Sequence, residues 1–212
     1  MGVVYAIADA GVLGAEALPA AVAEMAGAGI RWIQVRAKHL SGSGWHAALA
    51  ACCRALEGSG VRLWVDDRAD LAALLPVDGV HVGQRDLPPA AARRVVGADV
   101  KIGLSTHDEE QFAAADADPA VDVIAVGPVF PTTGKEDPDP VVGLSFVRWA
   151  RERTRKPLVA IGGIGAGNVA EVLAAGADAA AVLGAVCRGG VREVRANCRR
   201  LMIAAGAAGL GG

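Results

Sequence analysis

Gln34, Arg36 and Lys38 stand two residues apart in Trp32-Ile33-Gln34-Val35-Arg36-Ala37-Lys38, where an apolar run turns polar and basic. In extended chain a period of two sends all three side chains to one side of the backbone. An amide and two cations in one line, where a strand runs out, suit a polyanion, and a diphosphate is the obvious candidate. Asp66-Asp67 closes another apolar run, and Asp86 follows the next one in His81-Val82-Gly83-Gln84-Arg85-Asp86-Leu87. Carboxylates on neighbouring strand ends can share one hard cation, and magnesium typically takes one or two of them together with substrate phosphate oxygens. Helix capping is the ordinary role of an Asp at a loop-to-helix junction. Beside Arg36 and Lys38, the magnesium-diphosphate reading of Asp67 and Asp86 is the stronger one.

Glycine-rich segments suggest a second anion site. Ile161-Gly162-Gly163-Ile164-Gly165-Ala166-Gly167 follows a strand-like run and precedes a helical one, but its spacing is not that of a dinucleotide fingerprint. Paired glycines at such a junction let a phosphate approach backbone N–H groups, and Gly184 after the last apolar run repeats the arrangement. Gly127 and Gly134-Lys135 imitate a P-loop without matching it: the glycines are too far apart, and Glu136 stands where a magnesium-binding hydroxyl is needed.

These residues need a scaffold that brings distant strand ends to one place. Val- and Ile-rich runs are expected as strands at 3–8, 31–36, 61–65, 78–82, 100–103, 121–126, 157–161 and 178–183. Ala- and Leu-rich segments at helical spacing separate them, at 16–27, 44–57, 88–96, 108–117, 143–153 and 168–175. Eight strands alternating with helices predict an α/β chain folded as a single closed (β/α)8 TIM barrel over residues 1–205. Residues 206–212, Gly-Ala-Ala-Gly-Leu-Gly-Gly, are expected to be a flexible tail. Asp9, Lys38, Asp67, Asp86, Ser105, His107, Thr132, Lys135, Gly162, Gly163 and Gly184 all fall near predicted strand ends, which share one face in a barrel. An open doubly wound sheet would gather ligands at one crevice instead.

Composition excludes other classes. With 21 Lys plus Arg against 23 Asp plus Glu, no field favours nucleic acid or an anionic membrane. Charged residues interrupt every apolar stretch before it could span a bilayer. No basic residue precedes Arg31, so a signal peptide's charged region is missing, and a cytoplasmic protein is expected. Cys52, Cys53, Cys187 and Cys198 lack zinc-type spacing and read as structural thiols. Arg188, Arg192, Arg195, Arg199 and Arg200 read as the solvated face of a C-terminal helix. Exposed barrel helices offer a surface for a homo-oligomer, which periodicity does not distinguish from ordinary packing.

Six segments in order resemble the motif set of the thiamine-phosphate synthase family: Gln34 to Lys38, Asp66 to Ala72, Gly79 to Gln84, Gly103 to His107, Gly127 to Thr132 and Ala160 to Ile164. The resemblance runs from Tyr5 to about Ala185. It implies a phosphate-binding barrel that joins a hydroxymethylpyrimidine diphosphate to a thiazole phosphate and releases pyrophosphate, acting on small phosphorylated molecules. By the same resemblance Gln34, Arg36, Lys38 and Lys135, with the Val35 and Ala37 segment, hold the diphosphate. Asp67 and Asp86 bind Mg2+, and Ser105 contacts the pyrimidine near Asp66. Thr132, Thr133 and Gly134, with Gly162 or Gly163 and the Leu183-Gly184 backbone, take the thiazole phosphate. The loop from Thr132 to Val142, which carries Lys135, is expected to close over the diphosphate.

The chain departs from the family pattern at four places: Asp66 replaces Asn, Ala37 replaces an acidic residue, Gly134 replaces Thr, and Gly184 replaces Ser. A related barrel that isomerises the thiazole is thought of as using a His in the loop where His107 stands, and a phosphate sensor without turnover is a further alternative. Arg36, Lys38, Asp67, Asp86 and Lys135 together favour the synthase, because a tautomerase has no diphosphate to hold.

Overall fold

The computed structural model describes residues 3–132 and 139–207. Eight strands close into a parallel barrel in sequence order: β1 (Val3–Asp9), β2 (Trp32–Arg36), β3 (Arg62–Asp66), β4 (Gly79–Val82), β5 (Lys101–Thr106), β6 (Val123–Val126), β7 (Leu158–Ile161) and β8 (Ala179–Val182), with β8 pairing back onto β1. Between β1 and β2 lie α1 (Ala10–Leu13) and α2 (Leu18–Gly27). Each later strand is followed by a helix: α3 (Gly42–Ala55), α4 (Ala69–Leu74), α5 (Pro89–Val96), α6 (Glu109–Ala117), α7 (Gly143–Arg153) and α8 (Val169–Ala174). After β8 come α9 (Gly184–Cys187) and α10 (Val191–Ala207).

Strand alternation divides the apolar residues into two cores. Val4, Ala6, Ala8, Ile33, Val35, Leu63 and Val65 point outward and join the helices in the larger one. Tyr5, Ile7, Trp32, Trp64, Val123, Ala125, Val159, Ala179 and Ala181 fill the barrel lumen. Tyr5 stacks on Trp32 with ring centroids 4.3 Å apart, and Trp64 closes the group at 5.4 Å from Trp32. Such aromatic pairs add on the order of 1 kcal/mol each beyond area burial. The floor needs space on the facing strands, which two glycines supply. A Cβ on Gly79 would run into the Trp64 ring, and one on Gly103 would stand 2.5 Å from His81 Nδ1.

The structure departs from the expected element boundaries in three instructive ways. β5 runs three residues past its expected end, so Ser105 lies within the strand and faces inward while Thr106 faces out and donates to the Ala125 carbonyl at 3.0 Å. A hydroxyl that serves the sheet in this way is invisible to apolar periodicity. The short α4 was not expected, because Asp66-Asp67-Arg68 dominates the local pattern. α10 continues through Ala207, so Gly206 belongs to the helix; residues 208–212 lie outside the described residues. No helix among the described residues is long and apolar enough to cross a membrane.

Candidate active site at the C-terminal mouth of the barrel

β1, β2 and β3 deliver charges to one rim. Tyr5, Ile7 and Asp9 share the inward parity of β1, and Asp9 stands in register with Arg36. Asp66 ends β3 with the same inward parity. Asp9 Oδ2 accepts a hydrogen bond from Arg36 Nη1, while Arg36 Nε lies 3.4 Å from Asp66 Oδ2. That second contact is an ion pair by distance but misses hydrogen-bond alignment, and Asp66 Oδ2 is buried without a hydrogen-bond partner. Just beyond β2, Lys38 turns its ammonium to Asp67 Oδ2 at 3.0 Å. Asp67 adopts φ 61°, a left-handed conformation that Asp tolerates better than most residues. Its N–H donates to the His81 carbonyl at 2.8 Å, which anchors the bend to β4. Asp86 Oδ2 accepts from Gly83 N at 2.8 Å, and its negative charge adds to burial, the chief cause, in raising the pKa of Asp67.

The line of Gln34, Arg36 and Lys38 is thus resolved by depth. Gln34 is buried and donates from Nε2 to the Tyr5 hydroxyl at 2.9 Å, so it belongs to the floor of the mouth. Burial, with Asp66 as the next cause, keeps the Tyr5 phenol well above its ordinary pKa and therefore neutral. The Trp32 ring nitrogen beside it is buried and outside hydrogen-bond geometry. Arg36 stands above Gln34, and Lys38 at the rim. Val35 does not belong with them: its side chain points outward into the barrel-helix core, as strand alternation requires, so only its backbone borders the mouth. Ala37 is also buried, where a small side chain lets the chain turn toward α3, and it lines a cavity of about 170 Å³ with Lys38, Trp45, Asp66, Asp67 and Arg68. A larger cavity, about 360 Å³ beside Cys53, Pro76 and Asp78, involves none of these charged residues.

Ser105 Oγ lies 2.8 Å from His81 Nε2, and its carbonyl accepts from Gln84 Nε2 at 2.7 Å. His81, which faces inward from β4, therefore supports a candidate substrate contact. His107 Nδ1 lies 2.6 Å from the Gly127 carbonyl oxygen, which only accepts, so that nitrogen carries the proton. Its Nε2 is 3.4 Å from Asp139 Oδ2. Gly162 and Gly163 have φ 101° and 65°, and Cβ atoms on them would meet Pro128 Cα at 2.5 Å and the Pro131 carbonyl oxygen at 2.6 Å. Their glycines are required by this close loop approach. The N–H of Gly165 is already taken by Asn168 Oδ1 at 2.8 Å. Gly184 faces open space at the start of α9, next to Leu183, which packs on the lumen core. Thr132 is the last described residue before the loop; Thr133, Gly134 and Lys135 lie outside the described residues.

The donors suit a hard cation. Burial is the chief reason that Asp66 is raised to about 7, with Asp67 the next cause, and burial likewise raises Asp67. Carboxylates driven toward neutrality in this way would be relieved by a divalent ion. Among the described residues no group of three or more His, Cys, Asp or Glu side chains is arranged to hold a metal ion by itself.

The raised Asp66 carboxyl has a consequence for the metal-free protein. Its folded pKa, about 7, exceeds the unfolded value, so its stabilising contribution is full below pH 4 and declines until pH passes 7. With EDTA present, Asp66→Asn is expected to gain roughly 2 kcal/mol on the wild type between pH 5 and pH 8. Denaturant melts at the two pH values measure this difference; parallel curves would refute the buried, protonated Asp66.

Comparison with known proteins gives the arrangement its context. A family model described as thiamine monophosphate synthase matches residues 4–186. A thiamine-phosphate synthase of Koribacter versatilis is 45% identical over 183 residues, covering 84% of this chain and 86% of the relative. One from Acidothermus cellulolyticus is 44% identical over 170 residues, covering 80% of each. The solved thiamine phosphate pyrophosphorylase of Pyrococcus furiosus superposes with a TM-score of 0.85 at 30% identity, over 99% of this chain and 97% of that one. Matching motifs at the strand ends, a match over nearly the whole barrel and a closed fold of the same shape make this chain a member of the thiamine monophosphate synthase family.

Proposed function

We propose that the protein is a transferase that joins 4-amino-2-methyl-5-(diphosphooxymethyl)pyrimidine to 4-methyl-5-(2-phosphoethyl)thiazole, giving thiamine phosphate and pyrophosphate. The observation that carries this reading is the interleaving of Arg36 and Lys38 with Asp9, Asp66, Asp67 and Asp86 at one barrel mouth, in a chain of this family. Cations among carboxylates suit a ligand that is itself a polyanion accompanied by a metal.

In the reaction the methylene C–O bond breaks, the bonding electrons leave with pyrophosphate, and the thiazole nitrogen lone pair forms the new C–N bond. The aminopyrimidine ring can delocalise positive charge at the methylene carbon, so the chief demand on the protein is to stabilise the departing diphosphate. Arg36 at the end of β2 and Lys38 just beyond it meet that demand, and Lys135, from the sequence between β6 and α7, joins them. Asp67 and Asp86 would hold magnesium, which when bound offsets leaving-group charge. Ser105, held by His81, orients the pyrimidine. The Gly162-Gly163 and Leu183-Gly184 backbone, with Thr132 to Gly134, takes the thiazole phosphate. Holding both substrates in attack geometry supplies much of the remaining acceleration, and no side-chain nucleophile is needed. His107 ties the β5 exit to Gly127, a loop-bracing role.

The cysteines are free thiols, and burial raises Cys52, Cys187 and Cys198 to about 12, 11 and 12, which leaves them unreactive. They fit the reducing cytoplasm in which we place the protein. The test mixes purified protein with both substrates, with and without magnesium, and follows thiamine phosphate and pyrophosphate. Equimolar products that vanish in excess EDTA are expected. Undiminished synthesis in EDTA would overturn the metal assignment, and thiazole isomerisation without coupling would overturn the reaction.

A further inference from the structure

Asp9 is 4% exposed, lies on a strand that carries no other charge at the mouth, and has no part in the reaction as described above. Its two oxygens are divided. Oδ1 accepts from Val12 N at 3.1 Å and caps α1, while Oδ2 takes Arg36 Nη1. Arg36 Nε is drawn in the other direction, to within 3.4 Å of Asp66 Oδ2. The guanidinium is therefore held by a hydrogen bond from β1 alone, with the Asp66 carboxyl of β3 near its Nε but out of hydrogen-bond alignment, and with Nη2 left over among the described residues. A guanidinium is planar, so holding Nη1 restricts where Nη2 can lie.

We infer that Asp9 is a positioning residue for diphosphate: it sets the plane of Arg36 so that the remaining terminal nitrogen is presented to the phosphate oxygens. This rests on the reading of Arg36 as a diphosphate ligand. Asp9 places a negative charge near an anion site, which by itself would weaken binding. That charge lies behind the guanidinium, nearly out of solvent, and the competing cost is the ordering of a long side chain at every binding event. A preset Arg36 removes most of that cost, which is the usual advantage of a supported binding group. The cap to Val12 adds rigidity, because Asp9 cannot swing away from Arg36 without giving up the start of α1.

The experiment separates this role from simple stabilisation. Asp9→Asn keeps an oxygen for Val12 and removes the charge; Asp9→Ser caps helices well and is too short to reach Arg36. Magnesium-dependent binding of inorganic pyrophosphate is measured by calorimetry for the wild type, both Asp9 variants, Arg36→Ala and the double variant Asp9→Ser/Arg36→Ala. The expected result is a roughly tenfold weaker pyrophosphate affinity in each Asp9 variant, of the size usual for one oriented charge-assisted contact. The KM for the thiazole phosphate should stay within about twofold, and the double variant should bind no more weakly than Arg36→Ala alone. Independent, multiplying effects of the two substitutions would overturn the inference, as would wild-type pyrophosphate affinity in folded Asp9→Ser. If Arg36→Ala itself binds pyrophosphate like the wild type, the diphosphate reading fails first, and the two failures are told apart.

Discussion

Asp67→Asn should lower kcat/KM for coupling by about a hundredfold or more while leaving the fold intact, the scale on which loss of one charge-stabilising group affects an enzyme of this kind. Asn is the informative replacement because Asp67 has φ 61°, which Asn accepts and Ala does not accept without strain. Asp67→Ala would add roughly 1 kcal/mol of backbone cost and so mix two effects. The substitution also removes the partner of Lys38, at 3.0 Å, so affinity for diphosphate should fall in parallel with the response to magnesium. Burial raises the Asp67 pKa, so replacing it with a neutral amide should not destabilise the metal-free barrel. Steady-state kinetics across a magnesium titration decide the matter. An unchanged magnesium dependence in Asp67→Asn would remove Asp67 from the metal site.

Gly162→Ala should lower stability sharply, by about 3 kcal/mol or more, or roughly 6 to 12 °C in melting temperature. Two costs coincide there. The residue has φ 101°, which side chains rarely adopt, and a Cβ would stand 2.5 Å from both Pro128 Cα and Cβ, where backbone and ring leave no room to move. Gly184→Ala is the matched control. It sits at the start of α9 with open space where its Cβ would lie, so a change within about 0.5 kcal/mol is expected. Thermal melts of the two variants compare directly, and equal melting temperatures would show that the approach of the loops after β6 and β7 is not tight.

Much of this was legible in order of residues. Apolar runs alternating with helical segments implied eight strand-helix units, and the barrel has eight, because burying both faces of a parallel sheet leaves a strong apolar signature on each strand. The polar residues at strand ends, from Arg36 to Asp86, were likewise readable, since a barrel places those ends on one face. Family membership followed from the same segments.

Depth and partnership were not readable. Gln34, Arg36 and Lys38 looked like one polar line on a single side of the strand, yet the structure puts Gln34 on the aromatic floor and Lys38 past the strand end. Asp9 gave no local sign of its pairing with Arg36, 27 residues away, because only the parallel register of β1 with β2 sets them side by side. His81 gave no local sign of its partner for the same reason: only the parallel register of the neighbouring strands β4 and β5 sets it beside Ser105. Local composition determines which residues form strands and which end them, because that choice is made by neighbours along the chain. The closure of the barrel decides which charges meet, because it alone sets the distances between strands that the sequence keeps far apart.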